Sequence, residues 1–270
     1  MARYYRQHKT YPKEFPANWA SGWGEDEYGL WMEFTYKRIT QRFRWCEPGQ
    51  FLMGSNKYDL GVPEHLLEIE FQHAVTLTYG FWLADTTVTQ ALWRAFTGSN
   101  PSHFNGKNRP VENVSCYAVH EFINKINFIK PELRLCLPSE AEWEYACRAN
   151  NDSPFHWGKQ ANQELINCLP ENGGIELIGR QRTIDVKALP CNTWGLYQMH
   201  GNVKEWTRDW DNAYPRHPVI NPDKSAIGKR RVLRGGSWGS APSHCRSAYR
   251  SFESVFHRDR FSGFRLAIGY

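Results

Sequence analysis

The chain has 270 residues, a formal net charge of +5 from 33 Lys+Arg against 28 Asp+Glu, 41% hydrophobic residues and 15% aromatic ones. That is enough apolar material for a core, and no run of about twenty apolar residues could span a bilayer, so disorder and a membrane span are excluded. The 12 Trp, 13 Tyr and 15 Phe, with 21 Gly and 15 Pro, point away from a helical bundle and toward a loop-rich, short-stranded fold cored by flat rings.

Residues 1–25 hold a Pro/Trp/Gly stretch with no helical or strand period, which reads as an arm laid on the surface by Trp19 and Trp23. From Tyr28 to Ser55 bulky apolar residues alternate with polar ones; Leu30, Met32, Phe34 and Tyr36 fall on one side, the period of a half-buried strand. Glu47-Pro48-Gly49-Gln50 breaks the run, which predicts two antiparallel strands followed by a polar loop through Asn56 to Glu64. A third strand is expected over residues 73–79 and a fourth near 81–83.

Helix signals come next along the chain. Thr87 and Gln90 have capping-box spacing, and Leu92, Ala95 and Phe96 repeat at helical spacing until Gly98. Ser115 can cap a second helix with Val119, Phe122, Ile123 and Ile126 on one face, and Ser139 with Glu142 announces a third before Trp143 and Ala146. Nothing between 149 and 230 supports a helix longer than two turns. With no fixed-period repeat and no low-complexity linker, the simplest partition is an N-terminal extension and strand at 1–45 packed on one domain at 46–270.

The seven cysteines, Cys46, Cys116, Cys136, Cys147, Cys168, Cys191 and Cys245, are an odd set with no CxxC pair and no Cys/His cluster at zinc spacing, which argues against a closed disulfide framework. The basic N-terminus has no apolar stretch of a signal peptide, and both observations lead us to expect a reducing cytoplasm. Most of the thiols lie in apolar patterns and read as small core residues. Basic charge gathers at the end: residues 229–270 hold Lys229, Arg230, Arg231, Arg234, Arg246, Arg250, Arg258, Arg260 and Arg265 against Glu253 and Asp259. Arg234, Arg246 and Arg250 lie among small residues, where guanidinium groups can tie loops through backbone carbonyls, so scaffold is favoured over nucleic-acid binding.

Six blocks in order carry a resemblance: Phe51-Leu-Met-Gly-Ser55, Thr87-Val-Thr-Gln90, Pro110-Val-Glu-Asn-Val-Ser115, the stretch from Arg134 to Ala146, the stretch from Trp194 to Trp206, and Arg231-Val-Leu-Arg-Gly-Gly-Ser-Trp238 with Gly263-Phe-Arg-Leu266. Together they strongly resemble the formylglycine-generating-enzyme (sulfatase-modifying factor) family over residues 45–268. The resemblance implies an α+β class and a C-type-lectin-like fold, with short twisted antiparallel strands, few short helices and much irregular loop. Independently of it, Gly235-Gly236 permits close backbone approach beside Trp238, and Trp194, Trp206 and Trp210 can fill space between loops.

The resemblance implies three candidate functions. The founding activity, copper-dependent oxidation of a substrate cysteine, needs two thiolates for Cu(I). Cys245, seven residues after Trp238, stands where one is expected, but no second cysteine follows it, which argues against copper and against the enzyme. A related non-haem iron chemistry on a thiol substrate needs clustered histidines, and here the ten are scattered. The third and leading reading is a non-catalytic binding protein, because variable proteins of diversity-generating retroelements share this fold and diversify the interval that here runs from 239 to 262. The expected ligand-binding positions are Gly239, Ser240, Ala241, Ser243, His244, Tyr249, Ser251, Phe252, Ser254, Val255, Phe256, His257, Asp259, Phe261 and Ser262. Phe252, Val255, Phe256, His257 and Phe261 are expected at the centre, with Arg246, Arg250 and Arg258 as scaffold beneath, facing a protein, peptide or glycan. An ordinary loop with inward rings is the competing reading. The resemblance also implies a calcium site on Gln198, Gly201, Val203 and Glu205; one carboxylate supplies little charge for it, and a metal-free turn competes.

Overall fold

The computed structural model describes residues 10–56, 68–170, 180–222 and 228–269. Most of the expected polar loop after Asn56, the first nine residues of the arm and Tyr270 lie outside them. Strands β1 (Gly22–Asp26), β2 (Gly29–Tyr36) and β3 (Ile39–Cys46) form an antiparallel meander. On β2 the side chains of Leu30, Met32 and Phe34 are buried while Thr35 is exposed, as the alternation requires. The residues 28–55 thus yield β2, β3 and a further strand after the Pro48 break, β4 (Gly49–Met53), where two strands were expected.

β5 (His73–Leu77) pairs antiparallel with β4, and β6 (Phe81–Ala84) pairs antiparallel with β3. Two-residue strands β7 (Leu135–Cys136) and, near the end, β13 (Ala267–Ile268) complete a six-stranded sheet of order β1-β2-β3-β6-β13-β7. β8 (Lys204–Trp210), β10 (Arg231–Arg234), β11 (Arg250–Glu253) and β12 (Ser262–Phe264) form a second sheet of order β11-β10-β8-β12, and β9 (Val219–Ile220) joins β4 and β5 in a third. The ladders are antiparallel except β8 with β12 and β5 with β9.

Helix α1 (Gln90–Thr97) starts two residues later than the capping-box spacing implies. Its cap is Thr89, whose hydroxyl accepts from Leu92 N–H at 3.2 Å. Val88 is held extended by Phe264 O and Val111 N–H, so the chain cannot turn helical at Thr87. Gly98 at φ 81 closes the helix, as expected. Helix α2 (Cys116–Ile129) is capped by Ser115 and buries Val119, Phe122, Ile123 and Ile126 against the six-stranded sheet core with Phe34, Phe43, Trp93 and Phe264. Helix α3 (Glu140–Arg148) has the full Ser139–Glu142 capping box. All nine of its residues are buried, carboxylates included, and it packs with Met53, Val75, Phe81 and Leu196 in a second core. Among the described residues no helix is long and apolar enough to cross a membrane.

Trp19 and Phe15 of the arm lie half-buried on the first core, Trp19 edge-on to Phe43 at 6.1 Å and Phe15 stacked on Trp82 at 6.1 Å. Trp23 is half-exposed on β1 and meets Phe15 edge-on.

Candidate functional site

The 239–262 interval follows β10, adds the edge strand β11 to the second sheet and ends at β12, and its foundations are ionic. After β10 the chain turns at Gly235 (φ 87) and Gly236 (φ 68), where a Cβ on Gly236 would overlap Cys245 Sγ and His244 O. Trp238 is anchored by its backbone N–H to Asn202 O at 3.0 Å and by Nε1 to Arg260 O at 3.1 Å.

Three buried arginines hold the excursion that begins there. Arg234 donates to Ala248 O and Tyr249 O at 2.7 Å, to Ser247 O at 2.8 Å and to the Glu144 carboxylate of α3. Arg246 reaches Glu70 at 2.9 and 3.0 Å and Ser55 Oγ at 2.7 Å. Arg250 pairs with Glu140, donates to Ile69 O and Asn212 O at 3.1 Å, and lies 4.0 Å over the Tyr214 ring. Arg246 and Arg250 are therefore scaffold, as expected, through carbonyls and carboxylates together. Arg258 is not: it is exposed, and the third scaffold guanidinium is Arg234.

Beyond the edge strand β11 the chain runs over the start of α2. Tyr117 N–H donates to Val255 O at 3.1 Å and Asn113 N–H to Asp259 O at 2.8 Å, while Lys204 N–H takes Phe261 O at 2.7 Å. Asp259 also accepts from Phe261 N–H at 3.0 Å and lies 3.1 Å from His257 Nε2. This strapping turns Ser254, Phe256, Arg258 and Arg260 outward, and Val255 inward onto the first core. Phe256 is 72% exposed, 6.0 Å from the ring of Tyr117, which is 57% exposed.

The expected centre is thus divided. Phe252 sits on β11 beneath the guanidinium groups of Arg230 and Arg250, at 5.2 and 5.0 Å. Phe261 packs on Trp238 at 4.7 Å, Trp238 meets Phe104 edge-on at 5.3 Å, and Arg260 covers both Trp238 and Phe261. His244 is exposed and stacks on Tyr249 at 4.5 Å, well apart in sequence from Phe256. Gly239, Ser240, Ala241, Ser243, Ser251 and His257 are half-buried. Ser262 is fully buried in β12 beside Lys204 of β8, so it cannot touch a ligand. Tyr117 and Phe104 were not expected in this surface; they lie more than a hundred residues before it in the sequence, and only the fold brings them here.

Under Phe104 lies Glu112, fully buried, with one oxygen accepting from Phe104 N–H at 2.8 Å and the other without a partner among the described residues. Burial pushes its carboxyl up to about 7.

The calcium positions take other partners. Both oxygens of Glu205 accept from Arg265 at 2.8 and 2.9 Å, and one also from Trp143 Nε1 at 2.8 Å. The Gln198 amide donates to Asp185 O at 2.8 Å, and its oxygen accepts from Asn202. Gly201 N–H donates to Gly235 O, and Val203 is buried. With the single carboxylate already neutralised, these residues do not fit calcium.

Copper fits no better at Cys245. The thiol is completely buried, and burial raises its proton affinity well above the ordinary range, so a thiolate exposed to a peptide is not provided. A second sulfur is nevertheless present in space: Cys168, distant in sequence, shares a small buried cluster with Cys245, Phe155 and Ile166. Histidine chemistry is likewise muted. His200 Nδ1 donates to Cys245 O at 2.7 Å and Nε2 accepts from His156 N–H at 3.3 Å, and burial, aided by His156, pulls its imidazole down to about 3. Among the described residues no group of three or more His, Cys, Asp or Glu could hold a metal, iron included.

A mixed fold of short strands and few helices, with an irregular C-terminal excursion pinned to a buried ionic network, defines the C-type-lectin-like class. Residues 33–269 match the model for the sulfatase-modifying factor enzyme 1-like domain, and the chain belongs to that family. It is 33% identical over 211 residues to the formylglycine-generating enzyme of Mus musculus, covering 73% of this chain and 54% of that protein. It is 36% identical over 146 residues to the hercynine oxygenase of Mycolicibacterium smegmatis, covering 48% and 32%. The chain thus spans about half or less of the length of these curated relatives. The solved structure titled Treponema denticola variable protein 1 superposes with a TM-score of 0.74 at 26% identity, covering 88% of this chain and 98% of that one.

Proposed function

We propose that the chain is a non-catalytic ligand-binding protein that displays the 239–262 interval as a diversified surface, in the manner of variable proteins of diversity-generating retroelements. The observation that carries this reading is the contrast inside the interval: Arg246 and Arg250 are sunk in ion pairs, while Phe256 stands 72% exposed beside Tyr117. Exposed rings on a rigid base bury large area on binding at low entropic cost. The likeness to a variable protein over nearly its whole length supports it further. A protein, peptide or glycan suits these rings.

An oxidase or oxygenase reading draws on the enzymes among the relatives, and the sealed Cys245 and the lack of a metal cluster among the described residues weigh against it. Sequencing the DNA flanking the gene tests the proposal. A reverse transcriptase and a near-identical template repeat of the C-terminal segment are expected close by; finding neither would overturn it.

A further inference from the structure

We propose that Cys168 and Cys245 are a disulfide-forming pair that, when the chain folds in the presence of a small organic disulfide, covalently ties the base of the C-terminal excursion to the loop after Asn167. Cys168 and Cys245 belong to one satellite cluster with Phe155 and Ile166, separate from the two main cores. They are 1% and 0% exposed and both are thiols. The neighbouring Cys168 thiol adds to the rise in proton affinity that burial gives Cys245, and the flanking backbone is already joined, with Leu169 N–H donating to Ser240 O at 2.9 Å. Gly236 is what allows Cys245 this position, because any side chain there would collide with its sulfur.

None of the other five cysteines is held in this cluster. Cys147 faces His200 and Ser247, each at 3.6 Å, and Cys136 faces Arg208. The chemistry is two successive exchanges. One protein thiolate attacks a sulfur of the organic disulfide and releases a thiol; the second attacks the mixed disulfide at the protein sulfur and releases the other. Two protein thiols are oxidised, the organic disulfide is reduced to two thiols, and the protein ends two hydrogens lighter. Burial raises both the barrier to reagent entry and the thiol proton affinity of Cys245, so the bond closes while the chain folds and not by reaction of the finished protein.

The test is refolding of the full chain from denaturant in a glutathione/glutathione-disulfide buffer and, in parallel, in dithiothreitol, then alkylation of remaining thiols and non-reducing peptide mapping. The expected result is one linked peptide pair containing Cys168 and Cys245, with the other five cysteines alkylated. The oxidised protein should also unfold at a measurably higher urea concentration than the reduced one, since the bond closes a loop of roughly eighty residues. Cys168→Ala and Cys245→Ala should each abolish the link and the difference. Folded wild-type protein with both cysteines alkylated, or a link between other cysteines in its place, would overturn the proposal. The mapping on wild type decides this even if a variant does not fold.

Discussion

Replacing Arg234 by Met tests whether the ionic network carries the C-terminal excursion. The guanidinium is fully buried between β10, α3 and residues 247–249, and its loss removes the donor from three carbonyl oxygens and the cation from Glu144, which retains Arg148 at 2.8 Å. Breaking a buried ion pair from one side costs about 3–5 kcal/mol. Each sealed carbonyl left without a donor adds on the order of 1 kcal/mol. These terms overlap, so the expected loss is about 5 kcal/mol, a third or more of the roughly 5–15 kcal/mol available to a domain. Urea unfolding followed by tryptophan fluorescence and circular dichroism measures it. Arg234→Lys, which keeps the charge but cannot reach every acceptor, should recover only part of the loss. A loss below about 1 kcal/mol for Arg234→Met would refute the reasoning.

Glu112 should give a pH signature. Its folded carboxyl is raised from an ordinary 4.5 to about 7, so the folded state holds a proton that the unfolded chain releases; stability is greatest below the lower value, falls as pH rises between the two, and is level above. Glu112→Gln should flatten the thermal midpoint across that window, and an unchanged slope would contradict the assignment. Replacing Phe256 and Tyr117 together by Ala should leave the unfolding free energy in urea titrations within about 1 kcal/mol of wild type, because both rings are exposed; a larger loss would mean that they pack as core. Aerobic incubation with Cu(I) and a cysteine-containing peptide should leave the peptide mass unchanged, whereas conversion to formylglycine would contradict the non-catalytic reading.

Local signals in the sequence were the readable ones. Ser115 and the Ser139–Glu142 box cap their helices as their spacing states, and β2 alternates as its apolar residues do, since each depends on neighbours a few residues away. Thr87 misled because the Val88 backbone is claimed by Phe264 and Val111, a tertiary demand that overrides a local cap. The carboxylates of α3 are buried because arginines from β10 and β11 meet them, a pairing that no local pattern marks. Arg246 and Arg250 were legible as scaffold from their small neighbours, but Arg258 was not separable from them without the strap that turns it outward. Cys168 beside Cys245 and Tyr117 beside Phe256 are pairings over long sequence separations, and no spacing rule encodes them.

The most direct test of the central claim is deep sequencing of this gene across a population of cells that carry it. The account predicts that substitutions concentrate in the codons of outward positions, Ser254, Phe256 and His244 among them, while Arg234, Gly236, Cys245, Arg246, Arg250 and Ser262 stay fixed, because those side chains or their absence hold the scaffold. Variation spread evenly along the chain, or as frequent at the buried positions as at the exposed ones, would contradict it.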